Sequence, residues 1–190
     1  MKLKAIALIM VLVMTILAGC GGKTTQPSPS TTASPSTTAS PNGDVETTAS
    51  IVNDEAAFEK AISDKGTWII CALKDMTFDK ELVLDGVFNN GKKDDAGKDI
   101  IQRKIALYTQ DENRKVTNRF TLTAPKLTIN SPNARIQSGT FKGDLYVAAE
   151  NFELVDATVE GNVYFTTDAA QKSFKMDETS KVTGKTELKQ

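Results

Sequence analysis

Phe141-Lys-Gly143-Asp-Leu145-Tyr-Val147 is the first of three copies of one pattern, followed by Val159-Glu-Gly161-Asn-Val163-Tyr-Phe165 and Val182-Thr-Gly184-Lys-Thr186-Glu-Leu188. In each copy, a large apolar residue precedes the glycine by two positions and another follows it by four. The glycines are 18 and 23 residues apart. Such a spacing is typical of one turn of a β-solenoid, in which extra residues loop out at the turns.

Stacking the copies as strands about 4.8 Å apart predicts which side chains meet. The inward columns are Phe141, Val159 and Val182, and Val147, Phe165 and Leu188. The outward pairs are Lys142 with Glu160, Asp144 with Asn162, and Tyr146 with Tyr164. Such pairs favour correct stacking over slippage. The glycines are expected where the chain bends and a side chain would crowd its neighbour.

Fainter versions of the pattern lie around these copies. Leu84-Asp-Gly86-Val-Phe88 is a fourth candidate, and the pairs Phe152/Leu154, Phe174/Met176 and Leu127/Ile129 precede the clear copies. One helix is predicted, capped by Asn53 or Asp54, with an apolar stripe of Ala57, Phe58, Ala61 and Ile62 and its end at Gly66. After it, the chain is strand-like throughout.

This arrangement resembles right-handed parallel β-helix proteins of the pectate-lyase-like type. The residues that carry the resemblance are the helix from Asp54 to Ile62, Trp68-Ile-Ile70 and Leu82-Val-Leu84-Asp-Gly86. It implies an all-β fold with a short N-terminal capping helix. The alternative is a β-sandwich, for which Asn90-Gly91 and Asp85-Gly86 partly supply two-residue hairpin turns.

The N-terminus predicts export and a lipid anchor. Lys2 and Lys4 precede an apolar run that is too short to span a bilayer, so residues 1–19 are interpreted as a signal peptide. The run ends in Leu17-Ala18-Gly19-Cys20, which resembles a bacterial lipobox. The resemblance implies diacylglyceride attachment at Cys20 and an extracytoplasmic protein that is lipid-anchored to the bacterial cell membrane.

A Ser/Thr/Pro-rich linker, residues 20–50 with Cys20, precedes a domain at residues 51–190. Pro29-Ser-Thr-Thr-Ala-Ser recurs from Pro35, and no large apolar side chain lies between Lys23 and Asp44. Such a segment has nothing to bury, so it is predicted to be disordered. At about 3.1 Å per residue, it would hold the domain up to roughly 85 Å from the lipid, enough to reach into a cell wall.

The charge balance and the residue types present limit the function. The chain has 23 basic and 24 acidic residues, and loss of the signal lysines makes the net charge about −3. We therefore expect no nucleic-acid partner. There is no histidine, which removes His-based catalysis. With Cys20 lipidated, no intramolecular disulfide is available to Cys71, which is interpreted as a buried small hydrophobe.

One candidate site is the charged excursion at residues 89–104, accompanied by a second charged segment at residues 111–115. It contains Asp94, Asp95 and Asp99, close in sequence to Arg103 and Lys104. The β-helix resemblance implies polysaccharide lyases that use Ca²⁺ held by carboxylates and a basic residue. The excursion lacks the alternating spacing of a calcium loop, so a solvated loop is preferred, and ligand binding by this loop is a separate hypothesis.

The second candidate is the outward pair Tyr146 and Tyr164, whose rings could stack on sugars or simply strengthen packing. Taken together, the sequence predicts a non-catalytic binding or structural module at the cell envelope, with no cofactor and no metal. Cell-wall polysaccharide or an envelope protein is the expected partner, and a monomer the expected state. The alternatives are a divergent lyase-like enzyme that acts on polysaccharides and a self-associating scaffold.

Overall fold

A computed structural model describes residues 50–189. The predicted signal peptide (1–19), Cys20 and all but the last residue of the linker (20–50) lie outside this part of the chain. No helix among the described residues is both long enough and apolar enough to cross a membrane.

Most strands belong to two parallel sheets, which the chain visits in turn. Sheet A is formed, in spatial order, by β1 (Ser50–Val52), β2 (Ile69–Ala72), β7 (Arg103–Ala106), β11 (Ala134–Gln137), β13 (Glu153–Val155) and β16 (Lys175–Met176). Sheet B is formed by β3 (Met76–Thr77), β4 (Leu82–Leu84), β10 (Thr121–Ile129), β12 (Thr140–Val147), β14 (Thr158–Glu160), β15 (Val163–Phe165), β17 (Lys181–Val182) and β18 (Thr186–Leu188).

Two antiparallel hairpins interrupt this alternation. They are β5 (Asn89–Lys93) with β6 (Asp99–Ile101), and β8 (Tyr108–Gln110) with β9 (Val116–Arg119). Every pairing within sheets A and B is parallel. The all-β prediction is therefore confirmed, and a sandwich built from hairpins is wrong for these sheets, because a two-residue turn joins only antiparallel strands.

The predicted register of the three copies is confirmed. Phe141 pairs with Val159, and Val159 with Val182. In the second column, Phe165 lies between Val147 and Leu188. The members of both columns that belong to the first two copies are fully buried, whereas Val182 and Leu188 of the third copy are partly buried against the same core.

The glycine column lies where backbones approach most closely. A Cβ atom on Gly143 would overlap the carbonyl oxygen of Ala124, and one on Gly161 would overlap that of Gly143. Gly143 also has a φ of +137°, which favours glycine. The stack therefore requires glycine here for space, and at Gly143 for backbone conformation as well.

One further copy of the pattern was not recognised from the sequence. Leu127 and Ile129, predicted only as a pair that precedes the first copy, belong to a strand of sheet B, where they pair with Leu145 and Val147. The register shifts between Thr123 and Lys126, so β10 has one more residue than β12 between its two halves. This β-bulge lengthens the pattern by one position and hides it from an alignment based on spacing.

The fainter copy at Leu84-Asp-Gly86-Val-Phe88 is wrong in register. Leu84 pairs with Ile129 at the end of β4, so Gly86 comes after the strand and not within it. The prediction of strands alone after residue 66 is also wrong, because α2 (Asp168–Ser173) lies between β15 and β16. Six residues are too few to show a helical period in sequence.

The helix α1 (Glu55–Ile62) begins after Asp54, whose side chain accepts a hydrogen bond from the Ala57 amide at 2.8 Å. Its buried residues are Phe58, Ala61 and Ile62. All three belong to the core cluster that the inward columns of both sheets form. Burial of this apolar face stabilises so short a helix more than its intrinsic propensity does.

Candidate functional site

The predicted site residues lie on two separate surfaces. Asp94, Asp95 and Asp99 belong to the β5–β6 hairpin beside sheet A, whereas Tyr146 and Tyr164 lie in sheet B. The five residues therefore do not form one site, and each surface has its own chemistry.

The acidic residues of the hairpin do not converge. Asp94 Oδ1 accepts hydrogen bonds from the Ala96 and Lys98 amides, each at 2.9 Å, so this carboxylate organises its own turn. Asp99 forms an ion pair with Lys93 at 2.8 Å, and Asp95 is exposed. Within residues 50–189, no three side chains of the metal-ligating types are grouped to hold an ion.

The basic residues that were grouped with this loop are elsewhere. Arg103 is fully buried in β7, where its Nη2 donates to the carbonyl oxygens of Ala61 at 2.6 Å and Ser63 at 2.9 Å. Its guanidinium carbon lies 4.0 Å from the centre of the Phe88 ring. The excursion therefore ends before Arg103, which fastens the end of α1 to sheet A.

Burial lowers the pKa of Arg103 to about 10, and Asp85 opposes that shift. The guanidinium thus stays protonated at neutral pH. A buried, charged side chain that is engaged by backbone carbonyls is not placed to remove a proton from a ligand, so this position does not suit the basic residue that a lyase of this fold would use.

A groove of about 380 Å³ runs between the hairpin and the outer face of sheet A. Its residues come from the hairpin, from the segments that precede β7, β11 and β13, and from the strands β11, β13 and β16. They are Asp94, Ile100, Ile101, Gln102, Asn133, Arg135, Asn151, Glu153 and Lys175. Of the predicted site residues, this surface contains only Asp94.

The floor of the groove is a ladder of charges on neighbouring strands. Arg135 and Glu153 are direct register partners, as are Glu153 and Lys175. Arg135 donates from Nε at 3.0 Å and from Nη2 at 2.5 Å to the same Glu153 oxygen. Lys175 Nζ lies 4.0 Å from the other oxygen of Glu153. One carboxylate therefore holds both cations of the floor.

Sequence reasoning missed these floor residues, although a signal was present. Arg135, Glu153 and Lys175 follow one another at intervals of 18 and 22 residues, close to the glycine spacing. The strands of sheet A are only two to four residues long where these residues lie. So short a strand gives little alternation to separate its outward from its inward residues.

The second hairpin borders the opposite side of sheet A. Arg119 at its end pairs with Asp156 at 2.7 Å, and Lys104 Nζ donates to Tyr108 at 3.2 Å. Ala106 faces outward by alternation with Ile105 and is nevertheless only 2% exposed. We attribute this burial to the hairpin, because β8 begins two residues later and contacts β2. The outer face of sheet A is thus flanked by one hairpin on each side.

The tyrosine surface is already occupied by neighbours. Tyr146 and Tyr164 are register partners with ring centres 5.0 Å apart and planes tilted by 50°. Lys126 Nζ lies 4.8 Å from the Tyr146 ring centre, and Lys189 Nζ lies 4.3 Å from that of Tyr164. Lys189 also donates to the Tyr146 hydroxyl at 3.0 Å. Tilted rings that lysines contact do not form a flat platform for a sugar, which favours the packing role.

Cys71 is half-buried, whereas Ile70 and Ala72 on either side point into the core. The interpretation of Cys71 as a buried small hydrophobe is therefore wrong, because strand alternation places it on the outer face of sheet A, where it is only half-buried. Burial raises the pKa of its thiol, and nearby Lys104 partly opposes the shift. The thiol form, which is a poor nucleophile, prevails at neutral pH.

Comparison of the chain with known protein families, with curated proteins and with solved structures finds no match. Function is therefore inferred from the residues and the geometry of this chain. Within residues 50–189, the groove brings together nine polar and aliphatic lining residues from five segments of chain and is the candidate ligand site.

Proposed function

We propose that this chain is an extracytoplasmic lipoprotein, anchored to the bacterial cell membrane through Cys20, whose domain is a non-catalytic binding module at the cell envelope. The proposed location is supported by the motif Leu17-Ala18-Gly19-Cys20 at the end of a short apolar run. Two or more acyl chains hold a protein durably at a membrane, which one chain does not.

The proposed fold of residues 51–190 is a right-handed parallel β-helix whose N-terminal end is capped by α1. Three features support it: parallel pairing throughout sheets A and B, alternation of the chain between them, and inward columns that continue from coil to coil. Burial of Phe58, Ala61 and Ile62 in the same core supports the capping role. A rigid stack of this kind keeps surface residues at fixed separations, as a binding module requires.

The groove supports binding as the role of the domain. Its polar side chains belong to different coils, so a ligand that spans them would read several strands at once. The carboxylate of Asp94 is held by backbone amides, and that of Glu153 by Arg135 and Lys175. Carboxylates engaged in this way are poorly suited to general acid or base catalysis, which needs a group that is free to exchange protons with a ligand.

Lipid attachment is tested by growing cells with radiolabelled palmitate and following the chain through membrane fractionation. We expect label and membrane association in the natural chain and neither in Cys20→Ser. Cys71→Ser is the matched control and should keep both. A Cys20→Ser chain that still carries label would refute the anchor.

Binding is tested with the full lipidated chain in detergent micelles, incubated with isolated cell envelope. Saturable binding is expected. Release of unsaturated sugar products from a polysaccharide would favour the lyase alternative, and an assembly that grows with concentration in sedimentation would favour the scaffold. Absence of saturable binding to any envelope fraction would refute the binding module.

A further inference from the structure

We infer that the groove beside sheet A binds an uncharged, hydroxyl-rich glycan. The inference rests on the proposed binding function and names the class of ligand for the same groove. It follows from the charge balance of the lining, from the hydrogen-bonding groups that remain open there, and from the aliphatic residues of the lining.

The charges of the lining cancel. Arg135 and Lys175 are matched by Asp94 and Glu153, and both cations already share Glu153. A polyanion would meet two carboxylates on entering and would have to draw the cations away from their partner. An ion pair between the ligand and a partly exposed cation would contribute little, and the two carboxylates would repel the ligand. A polyanion therefore gains no net attraction.

Three amide side chains, Gln102, Asn133 and Asn151, line the same groove, and the Gln102 side-chain oxygen already accepts a hydrogen bond from Asn90 Nδ2 at 3.0 Å. Asn133 donates through Nδ2 to the Ile101 carbonyl oxygen at 3.0 Å, so its own amide oxygen remains an acceptor. Asn151 is exposed, and its backbone amide, not its side chain, donates to Ser173 at 2.9 Å. Amides donate and accept at once, as hydroxyl groups require of a partner.

The shape of the groove also fits a glycan. Ile100 and Ile101 also line the groove, and since consecutive residues of a strand point to opposite faces, one of the two can offer an aliphatic side chain on which the C–H face of a sugar ring can pack. The volume of about 380 Å³ falls within the roughly 300–1,000 Å³ of ligand sites in proteins. Arg135 and Glu153 hold each other in fixed positions, so the polar floor loses little freedom when a ligand binds.

The test uses the full chain in detergent micelles and a panel of uncharged oligosaccharides of hexoses and N-acetylhexosamines. Polygalacturonate and polyglycerol phosphate are the charged comparators. We expect at least one uncharged member to bind with an affinity that salt does not change. Binding of a charged comparator alone, with an affinity that falls as salt rises, would overturn the inference, and so would binding of no member of the panel.

The site is located with Asn151→Gly, which removes the amide and suits the φ of +60° at this position. Loss of one or two neutral hydrogen bonds should weaken glycan binding roughly three- to thirtyfold. Asn113→Gly, at the tip of the other hairpin, is the matched control and should bind as the natural chain does. Equal affinities for all three chains would overturn the assignment of the groove.

Glu153→Gln separates charge from shape. It removes the carboxylate that Arg135 and Lys175 share and leaves the lining with one net positive charge, so polygalacturonate, which the natural chain should not bind, should now bind in a salt-dependent way. If the natural chain and Glu153→Gln bind polygalacturonate equally, the charge argument is wrong. If Asn151→Gly binds whole envelope as tightly as the natural chain does, the groove is not the site, although the domain is still a binding module. If the natural chain itself does not bind envelope, the binding module is refuted.

Discussion

Substitution of Gly143 by alanine should destabilise the domain through two separable effects. The Cβ atom would overlap the Ala124 carbonyl oxygen, and the φ of +137° is strained for any other residue. Strain of this kind costs about 1–3 kcal/mol. Displacement of a packed neighbour costs about 1–3 kcal/mol more. We expect the free energy of unfolding to fall by about 3 kcal/mol, a large share of the 5–15 kcal/mol of an ordinary domain.

Two further glycines separate the effects. Gly97 has a φ of +76° and open space around its Cβ position, so Gly97→Ala should cost only the conformational strain, about 1 kcal/mol. At Gly184 the φ is not positive, but a Cβ would lie 2.5 Å from the Gly161 carbonyl oxygen. Gly184→Ala should therefore cost only the displacement of its neighbour, which strands at the end of the stack accommodate more easily.

The assay is urea unfolding of the chain lacking residues 1–20, read by circular dichroism with the slope of each transition compared among variants. The expected order of destabilisation is Gly143→Ala above both other variants. If Gly143→Ala loses no more stability than Gly97→Ala, the close approach of the backbones does not limit the stack, and the reason given for the glycine column is wrong.

Three other predictions concern single side chains. Arg114 has a φ of +64° at the turn position that Gly97 fills in the other hairpin, so Arg114→Gly should raise the free energy of unfolding by a few tenths to about 1 kcal/mol in urea titration. Arg103→Met leaves two carbonyl oxygens at the end of α1 without their charged donor and should cost about 2 kcal/mol in the same assay. Burial raises the pKa of Cys71, so iodoacetamide should alkylate this thiol more slowly in the folded than in the urea-unfolded chain. The contribution of Cys71 to the free energy of unfolding should be complete below the pKa of the unfolded thiol and should be lost as the pH rises through the pKa of the folded thiol.

Each of these has a result that would contradict it. A less stable Arg114→Gly chain would mean that the arginine side chain stabilises the hairpin by more than its backbone strain costs. An Arg103→Met chain of unchanged stability would mean that the cost of burying the guanidinium equals the benefit of its hydrogen bonds. Equal alkylation rates in the folded and unfolded chains would show that Cys71 is not shielded.

The register of sheet B was predictable because its strands carry glycines and paired polar residues at a constant offset. Phe141, Val159 and Val182 occupy the column that their spacing predicts. The one copy that escaped, around Leu127, is longer by a single bulged residue. Patterns of spacing thus locate strands well until an insertion changes the count.

The groove was much harder to predict, because its residues are far apart in sequence and meet only through the stacking of coils. Asp94 comes from a hairpin, whereas Glu153 and Lys175 come from strands about 60 and 80 residues later. Charge alone pointed to the hairpin and grouped it with Arg103, which alternation along β7 directs into the core. Because the Arg103 side chain points inward, it fastens the end of α1 and is not available to a ligand.

Each hairpin closes on itself through a turn of the same design. Asp94 accepts from the amides of Ala96 and Lys98, and Asp111 accepts from those of Asn113 and Lys115, all at 2.9 Å. Neither turn contributes a strand to sheets A or B. Hairpins of other lengths and compositions can therefore be exchanged at these two points while the glycine and apolar columns stay unchanged. On the proposed binding function, selection can then alter what is recognised without altering what keeps the chain folded.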